Sequence, residues 1–117
     1  MSDRDPECLF CRVVAGEIPA DRVHEDDDVL VFRDIDPQAP THVLVVPRRH
    51  VPDIGSLTDE DAGLAAALVA AVRRVAQAEG LDRGYRVVTN VGAESGQSVL
   101  HLHLHVLGGR RMSWPPG

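Results

Sequence analysis

The segment His101-Leu102-His103-Leu104-His105-Val106-Leu107 alternates titratable and apolar side chains without a break. Period-two alternation marks a strand lying on a core, because successive side chains on a pleated backbone point to opposite faces. On that reading Leu102, Leu104 and Val106 face inward. Three imidazoles stand in a row on the other face, attached about 6.5–7 Å apart. Imidazoles so placed repel one another when protonated, so at least one is expected to stay neutral at physiological pH, and a neutral imidazole is a nucleophile. Two other uses stay open at this level. One is a surface strand that carries histidines; the other is a catalytic metal site, since His-x-His on a strand supplies a good pair of zinc ligands.

This strand is expected to run from about Ser98 to Leu107. Before it lies Asn90-Val91-Gly92-Ala93-Glu94-Ser95-Gly96-Gln97-Ser98. Gly92 and Gly96 permit positive φ, and a loop of that kind can aim backbone N–H groups at an anion, with Gln97 and Ser98 as further donors. An ordinary hairpin loop would look similar taken alone. Set directly before the histidines, it reads as a phosphate site beside a nucleophile.

The rest of the pattern is short strands around one helix. Val29 to Asp34 alternates at period two, which puts Leu30, Phe32 and Asp34 on one face and Val29, Val31 and Arg33 on the other. The first set is an apolar wall ending in a carboxylate. Thr41 to Val46 is β-branched and stops at Pro47, and Tyr85 to Asn90 reads as a further strand. Thr58, followed by Asp59, Glu60 and Asp61, starts a helix that should end near Gly80. Leu64, Leu68, Ala71, Val72 and Val75 recur at helical spacing and are assigned to its core face. The fold class is α+β with a mostly antiparallel sheet.

A chain of 117 residues has room for one domain, spanning 1–117, with the largely polar residues 1–6 as its flexible start. The apolar residues are mostly Val, Leu and Ala, with only one Trp, one Tyr and two Phe. They suit a thin layer of helix on sheet that a partner subunit readily completes. A formal charge of −6 argues against polynucleotide, whose backbone calls for clustered Lys and Arg, and leaves a mononucleotide open. No stretch reads as an export signal or a membrane span, which points to the cytoplasm and away from a membrane. In that compartment Cys8 and Cys11 read as reduced thiols, suited to metal or redox chemistry rather than a structural disulfide.

Gly96-Gln97-Ser98-Val99-Leu100-His101-Leu102-His103-Leu104-His105-Val106-Leu107-Gly108-Gly109-Arg110 resembles the signature of the histidine triad (HIT) family, and Trp114-Pro115-Pro116-Gly117 resembles the ending of its histidine triad nucleotide-binding (HINT) branch. The likeness extends to Phe10, Gly16 to Ala20, Phe32 to Ile35, and Pro37 to His42. It implies a HIT-like fold: a five-stranded, mostly antiparallel sheet with one long helix and a short N-terminal helix. It also implies a homodimer with a continuous ten-stranded sheet and a purine nucleotide site, for AMP or GMP derivatives, on each protomer. By the same resemblance Leu9, Phe10, Val13, Phe32 and Ile35 enclose the base, and Asp34 accepts hydrogen bonds from the ribose. Asn90, Gly96, Gln97, Ser98, His103 and His105 surround the α-phosphate, with His42 near the same cluster. His103, the middle histidine, is then the nucleophile of a nucleoside 5′-phosphoramidase that passes through a covalent nucleotidyl-histidine. His105 stabilises phosphoryl charge, Ser98 helps protonate the leaving amine, and His101 completes the triad. A nucleotide-binding scaffold and a dinucleoside polyphosphate hydrolase are the alternative functions.

Cys8-Leu9-Phe10-Cys11 is a Cys-x-x-Cys knuckle, half of a zinc site. Some relatives carry these cysteines, and their pattern completes the ligand set here as Cys8, Cys11, His50 and His101. Such a closed set implies a structural zinc that braces the N-terminus against the histidine strand, with none needed for the chemistry. Two reduced thiols without metal are the alternative.

Overall fold

The computed structural model describes residues 4–117; residues 1–3, part of the segment expected to be flexible, lie outside the described residues. Five antiparallel strands form one sheet: β1 (Arg22–Glu25), β2 (Val29–Arg33), β3 (Thr41–Pro47), β4 (Tyr85–Val88) and β5 (Leu104–Gly108), in the order β1-β2-β3-β5-β4. A short helix, α1 (Leu9–Val14), precedes them, and a long one, α2 (Ala62–Ala78), lies between β3 and β4. The expected α+β, antiparallel, five-stranded architecture with a long and a short helix is what the chain adopts.

Alternation along the strands separates two apolar layers. Val29 and Val31 of β2, Val43 and Val45 of β3, and Leu102, Leu104 and Val106 pack with Leu68, Ala71, Val72 and Val75 of α2. The alternate residues Leu30, Phe32, Leu44 and Val46 pack with Phe10, Cys11 and Val13 of α1. Strand β3 is buried along its whole length, since it has a neighbour on each side and a layer on each face. That position explains its continuous β-branched run. Arg33, on the α2 side of β2, donates to Glu79 just past the end of that helix at 2.6 and 3.3 Å, fixing helix to sheet.

The helix begins as expected at Thr58. Its hydroxyl accepts the Glu60 N–H, and the Asp61 carboxylate accepts the Thr58 N–H at 2.9 Å, a capping box around a 3-10 turn at Asp59–Asp61. At the far end Gly80 takes a left-handed φ of 69° where the chain turns away.

Two strand boundaries differ from the sequence reading. The ladder of β5 starts at Leu104, not near Ser98, and β4 stops at Val88 rather than Asn90. Register accounts for this: Val45 pairs with Leu104, and β3 ends two residues later at Pro47. The chain before Leu104 is held instead by single bonds, from the Leu102 N–H to the Val51 carbonyl and from the Thr89 hydroxyl to the His103 carbonyl. The alternation nevertheless persists through this irregular stretch. Leu102, only 1% exposed, enters the α2 layer, a burial worth about 2 kcal/mol. His101 and His103 are thereby turned to the other side. The residue pattern revealed neither α1, which only the family resemblance implied, nor strand β1, where Arg-Val-His-Glu has almost no apolar content and lies at an edge.

Candidate active site

Outside the β ladder, the carbonyl of His101 is free to accept from a side chain, and it does so. The Nδ1–H of His103 donates to it at 2.7 Å. A carbonyl only accepts, so this bond fixes the hydrogen of neutral His103 on Nδ1 and leaves the lone pair on Nε2. The ring is held in place from the side by Phe10, edge to face at 5.1 Å and 88°, and it lies 5.1 Å from the His105 ring. His103 is buried to 7% exposure.

A second ring is fixed in the same manner. The Gln38 N–H donates to Nδ1 of His42 at 3.0 Å, so the hydrogen of neutral His42 sits on Nε2. That Nε2–H donates to Nδ1 of His105 at 2.9 Å and lies 3.4 Å from Oδ2 of Asp34. His105 must then carry its own hydrogen on Nε2. The chain Gln38 N–H to His42 to His105 therefore ends in an N–H donor on the ring whose centroid lies 5.1 Å from that of His103, a pairing suited to a nucleophile and an anion-stabilising group. Asp34, His42 and His105 are close enough to suggest a metal triad. The Gln38 bond argues otherwise, because a neutral His42 that gave its Nε2 lone pair to a metal would present a hydrogen from Nδ1 to an N–H.

Burial is the main reason that His105 is held neutral, its pKa lowered from 6.5 to about 4, with repulsion from His103 and then His42 adding to it and Asp34 opposing. His101 is likewise lowered to about 4, first by burial and then by His50 and His103, against the Pro47 carbonyl. The sequence reading attributed neutrality to mutual repulsion in a row of rings; desolvation is the larger cause.

The remaining histidine of the triad belongs to a different cluster. His101 is fully buried and its Nε2–H donates to the Pro47 carbonyl at 2.8 Å, so its Nδ1 holds a lone pair. That lone pair faces Cys8 Sγ at 3.3 Å, Cys11 Sγ at 3.5 Å and His50 Nδ1 at 3.3 Å, and Cys11 Sγ is 3.3 Å from His50 Nδ1. A tetrahedral zinc, with bonds of about 2.3 Å to sulfur and about 2.0 Å to nitrogen, requires ligand atoms roughly 3.3–3.8 Å apart. These four separations fit that figure, all four donor atoms lie within 4.8 Å of one another, and donors crowded this closely in a buried place call for a cation between them. Burial pushes the Cys11 thiol up, while the Asp5 N–H, 3.4 Å from its sulfur, pulls the other way. A bound metal would hold it as thiolate. Cys8, Cys11, His50 and His101 can thus hold a metal ion.

Of the other residues singled out from the sequence, Phe10, Val13 and Phe32 share one buried cluster, the two rings 5.5 Å apart. Leu9 and Ile35 are exposed, Ile35 completely. Gly92 and Gly96 take the positive φ expected of them, at 84° and 92°, around a 3-10 turn at Ala93–Ser95. Ser98 is exposed and Asn90 half-buried. The Gln97 amide, expected as an anion donor, donates to the Pro52 and Val99 carbonyls and accepts the Gly92 N–H, so it ties the loop together. What the sequence reading missed was the part played by main-chain groups of Gln38 and His101. Two surface grooves, one beside Arg48 and Arg49 and one beside Arg83, Arg86, Arg110 and Arg111, include none of the histidines, so chemistry rather than cavity depth marks the site.

Known proteins resemble this chain in sequence and in fold. The sequence pattern of the HIT domain family matches residues 15–112. An uncharacterized HIT-like protein of Synechococcus elongatus is 47% identical over 111 residues, which cover 95% of this chain and 97% of the relative. A crystal structure of a HIT family hydrolase from Legionella pneumophila superposes with a TM-score of 0.93 at 53% identity, covering 95% of this chain and all of that one. A HIT family hydrolase from Clostridium thermocellum gives 0.91 at 36% identity, over 93% of this chain and 96% of that one. With its alternating histidines, its antiparallel sheet and relatives aligned over almost their whole length, this chain belongs to the HIT domain family.

Proposed function

We propose that the protein is a nucleotide hydrolase of the histidine triad nucleotide-binding branch, acting on purine nucleoside 5′-phosphoramidates through His103. The observation that carries this reading is the fixed hydrogen of His103 on Nδ1, which leaves the lone pair on Nε2, with the His105 ring, its hydrogen on Nε2, 5.1 Å away between centroids. Two similar structures are of HIT family hydrolases, which supports hydrolysis as the reaction type.

In the first step Nε2 of His103 attacks the α-phosphorus, a nitrogen–phosphorus bond forms to the ring, and the bond to the leaving amine breaks. The amine departs with a proton relayed by the Ser98 hydroxyl, while His105 stabilises charge on the phosphoryl oxygens. Water then attacks the same phosphorus, releasing the nucleoside monophosphate and restoring Nε2. Two displacements retain configuration at phosphorus. Phe10, Val13 and Phe32 take the base, with Leu9 and Ile35 closing over it, and Asp34 takes the ribose hydroxyls. Asn90, Gly96, Gln97, Ser98 and His42 border the phosphate. Zinc on Cys8, Cys11, His50 and His101 would have no open position, so when bound it supplies cohesion and no chemistry.

The test is turnover of an adenosine and a guanosine 5′-phosphoramidate, with diadenosine polyphosphate as comparison, by the protein and by His103→Ala. Phosphoramidate turnover that falls by more than about a thousandfold in a folded variant is expected. Purine nucleotide binding without turnover would instead favour a scaffold, and preferential cleavage of the dinucleotide would favour the polyphosphate hydrolase.

A further inference from the structure

The two grips on His103 both come from residues tied to the Cys8, Cys11, His50 and His101 cluster. Phe10 lies between the two cysteines in sequence, and its ring packs edge-to-face on His103 and on His101, at centroid distances of 5.1 and 6.0 Å. The hydrogen-bond acceptor of His103 is the main-chain carbonyl of His101, whose own ring is a member of the cluster.

The Phe32 ring backs Phe10 at 5.5 Å, and the path of its main chain is set by α1. Helix α1 has six residues, too few to form unaided in water. Its first turn is organised on sulfur: Cys8 Sγ accepts the Cys11 N–H at 3.3 Å, and Cys11 Sγ accepts the Asp5 N–H at 3.4 Å. On the other side, the ring of His101 is pinned between the Pro47 carbonyl and the two sulfurs. The peptide that carries its carbonyl is held at the far end by the Leu102 N–H, which donates to the Val51 carbonyl at 2.6 Å, and at the near end by the His101 ring, so the ring supplies one of the two anchors that orient it.

We propose that the Cys-x-x-Cys cluster is a positioning device for the nucleophile, in which metal binding to Cys8, Cys11, His50 and His101 seats the Phe10 ring and the His101 carbonyl against His103. The cluster acts at one remove, and none of its members touches the reacting atoms. With the cluster open, α1 loosens, Phe10 leaves the face of the ring, and the His101 carbonyl turns. His103 then has no fixed partner for Nδ1–H, its hydrogen is shared between the two nitrogens, and the population with a lone pair on Nε2 falls. The nucleophilic role of His103 rests on the function proposed above, but the geometry does not, and the experiment keeps the two apart.

Long-range nitrogen–proton correlation of the His103 ring, with contacts between the Phe10 and His103 rings, is recorded for zinc-loaded protein and for protein stripped by a chelator. These readouts need no substrate. The expected result is one pattern with hydrogen on Nδ1 and strong ring contacts when zinc is bound, and mixed patterns with weakened contacts when it is removed and restored by adding zinc. An unchanged His103 pattern in stripped, folded protein overturns the proposal. Should stripping unfold the chain, Phe10→Leu at full zinc content decides. Loss of the ring's grip should lower kcat by roughly ten- to a hundredfold and mix the His103 pattern, whereas a residue serving only the base pocket would raise KM alone. A change in KM with an unaltered kcat and His103 pattern is therefore the second overturning result. Failure to turn over any phosphoramidate, with the zinc-dependent pattern intact, would count against the function and leave the positioning standing.

Discussion

His105 shows how much a single ring's surroundings decide. It lies against His103, His42 and Asp34, and burial keeps it neutral down to about pH 4 while an unfolded chain takes up that proton near 6.5. The stability this ring confers is therefore complete above about 6.5 and is lost as the pH falls toward about 4. Denaturant unfolding across that window should be steeper in pH for the protein than for His105→Gln, by up to about 1.4 kcal/mol per pH unit. Equal slopes would mean that the ring is not shielded as described. The sequence made the three alternating histidines and the Phe32–Asp34 face legible, because period-two alternation depends only on residue order. It did not reveal which nitrogen of each ring bears hydrogen, since the partners are main-chain atoms of Gln38 and His101 that no side-chain pattern encodes.

Helix α2 and strand β3 were legible for a different reason. The capping residues of Thr58–Asp61 and the apolar run Val43–Val46 within β3 each satisfy a local rule that packing then reinforces. The start of β5 was not legible, because it is set by where β3 ends, a fact of register rather than of propensity. The two glycines at the end of β5, Gly108 as its last residue and Gly109 just beyond, illustrate the same point. Gly109 has a left-handed φ of 88°, and Gly108 gives way to Leu81, whose side-chain atoms would lie 2.7 and 2.8 Å from an added Cβ. Leu81 is buried at that end of the sheet and cannot swing freely aside. Gly108→Ala should therefore destabilise the fold by about 1–3 kcal/mol, measured by chemical denaturation, and Leu81→Ala in the same chain should recover part of that loss.

The whole molecule leaves one side of its sheet unfinished. Strand β4 is an edge, and it exposes Tyr85 and Val87 while Val69 of α2 is exposed as well. Open apolar edges are places where a second chain adds on. If two copies join their sheets along this edge, as the family resemblance implies, light scattering should give twice the chain mass, and Val87→Arg should give the single-chain mass with its circular dichroism preserved. A protein already monomeric before substitution would rule out this surface as a dimer contact.

The hydrogens that decide which ring attacks and which ring donates are placed by a carbonyl and an amide, groups that every residue carries regardless of its side chain. Alanine scanning deletes neither group and reads them only through the side chains that seat them. Only an edit to the polypeptide linkage itself, such as exchanging the peptide bond after His101 for an ester with its poorer acceptor, would weaken the instruction directly. The acid–base identity of the site is thus written in the path of the main chain, and side chains bear on it through what they do to that path.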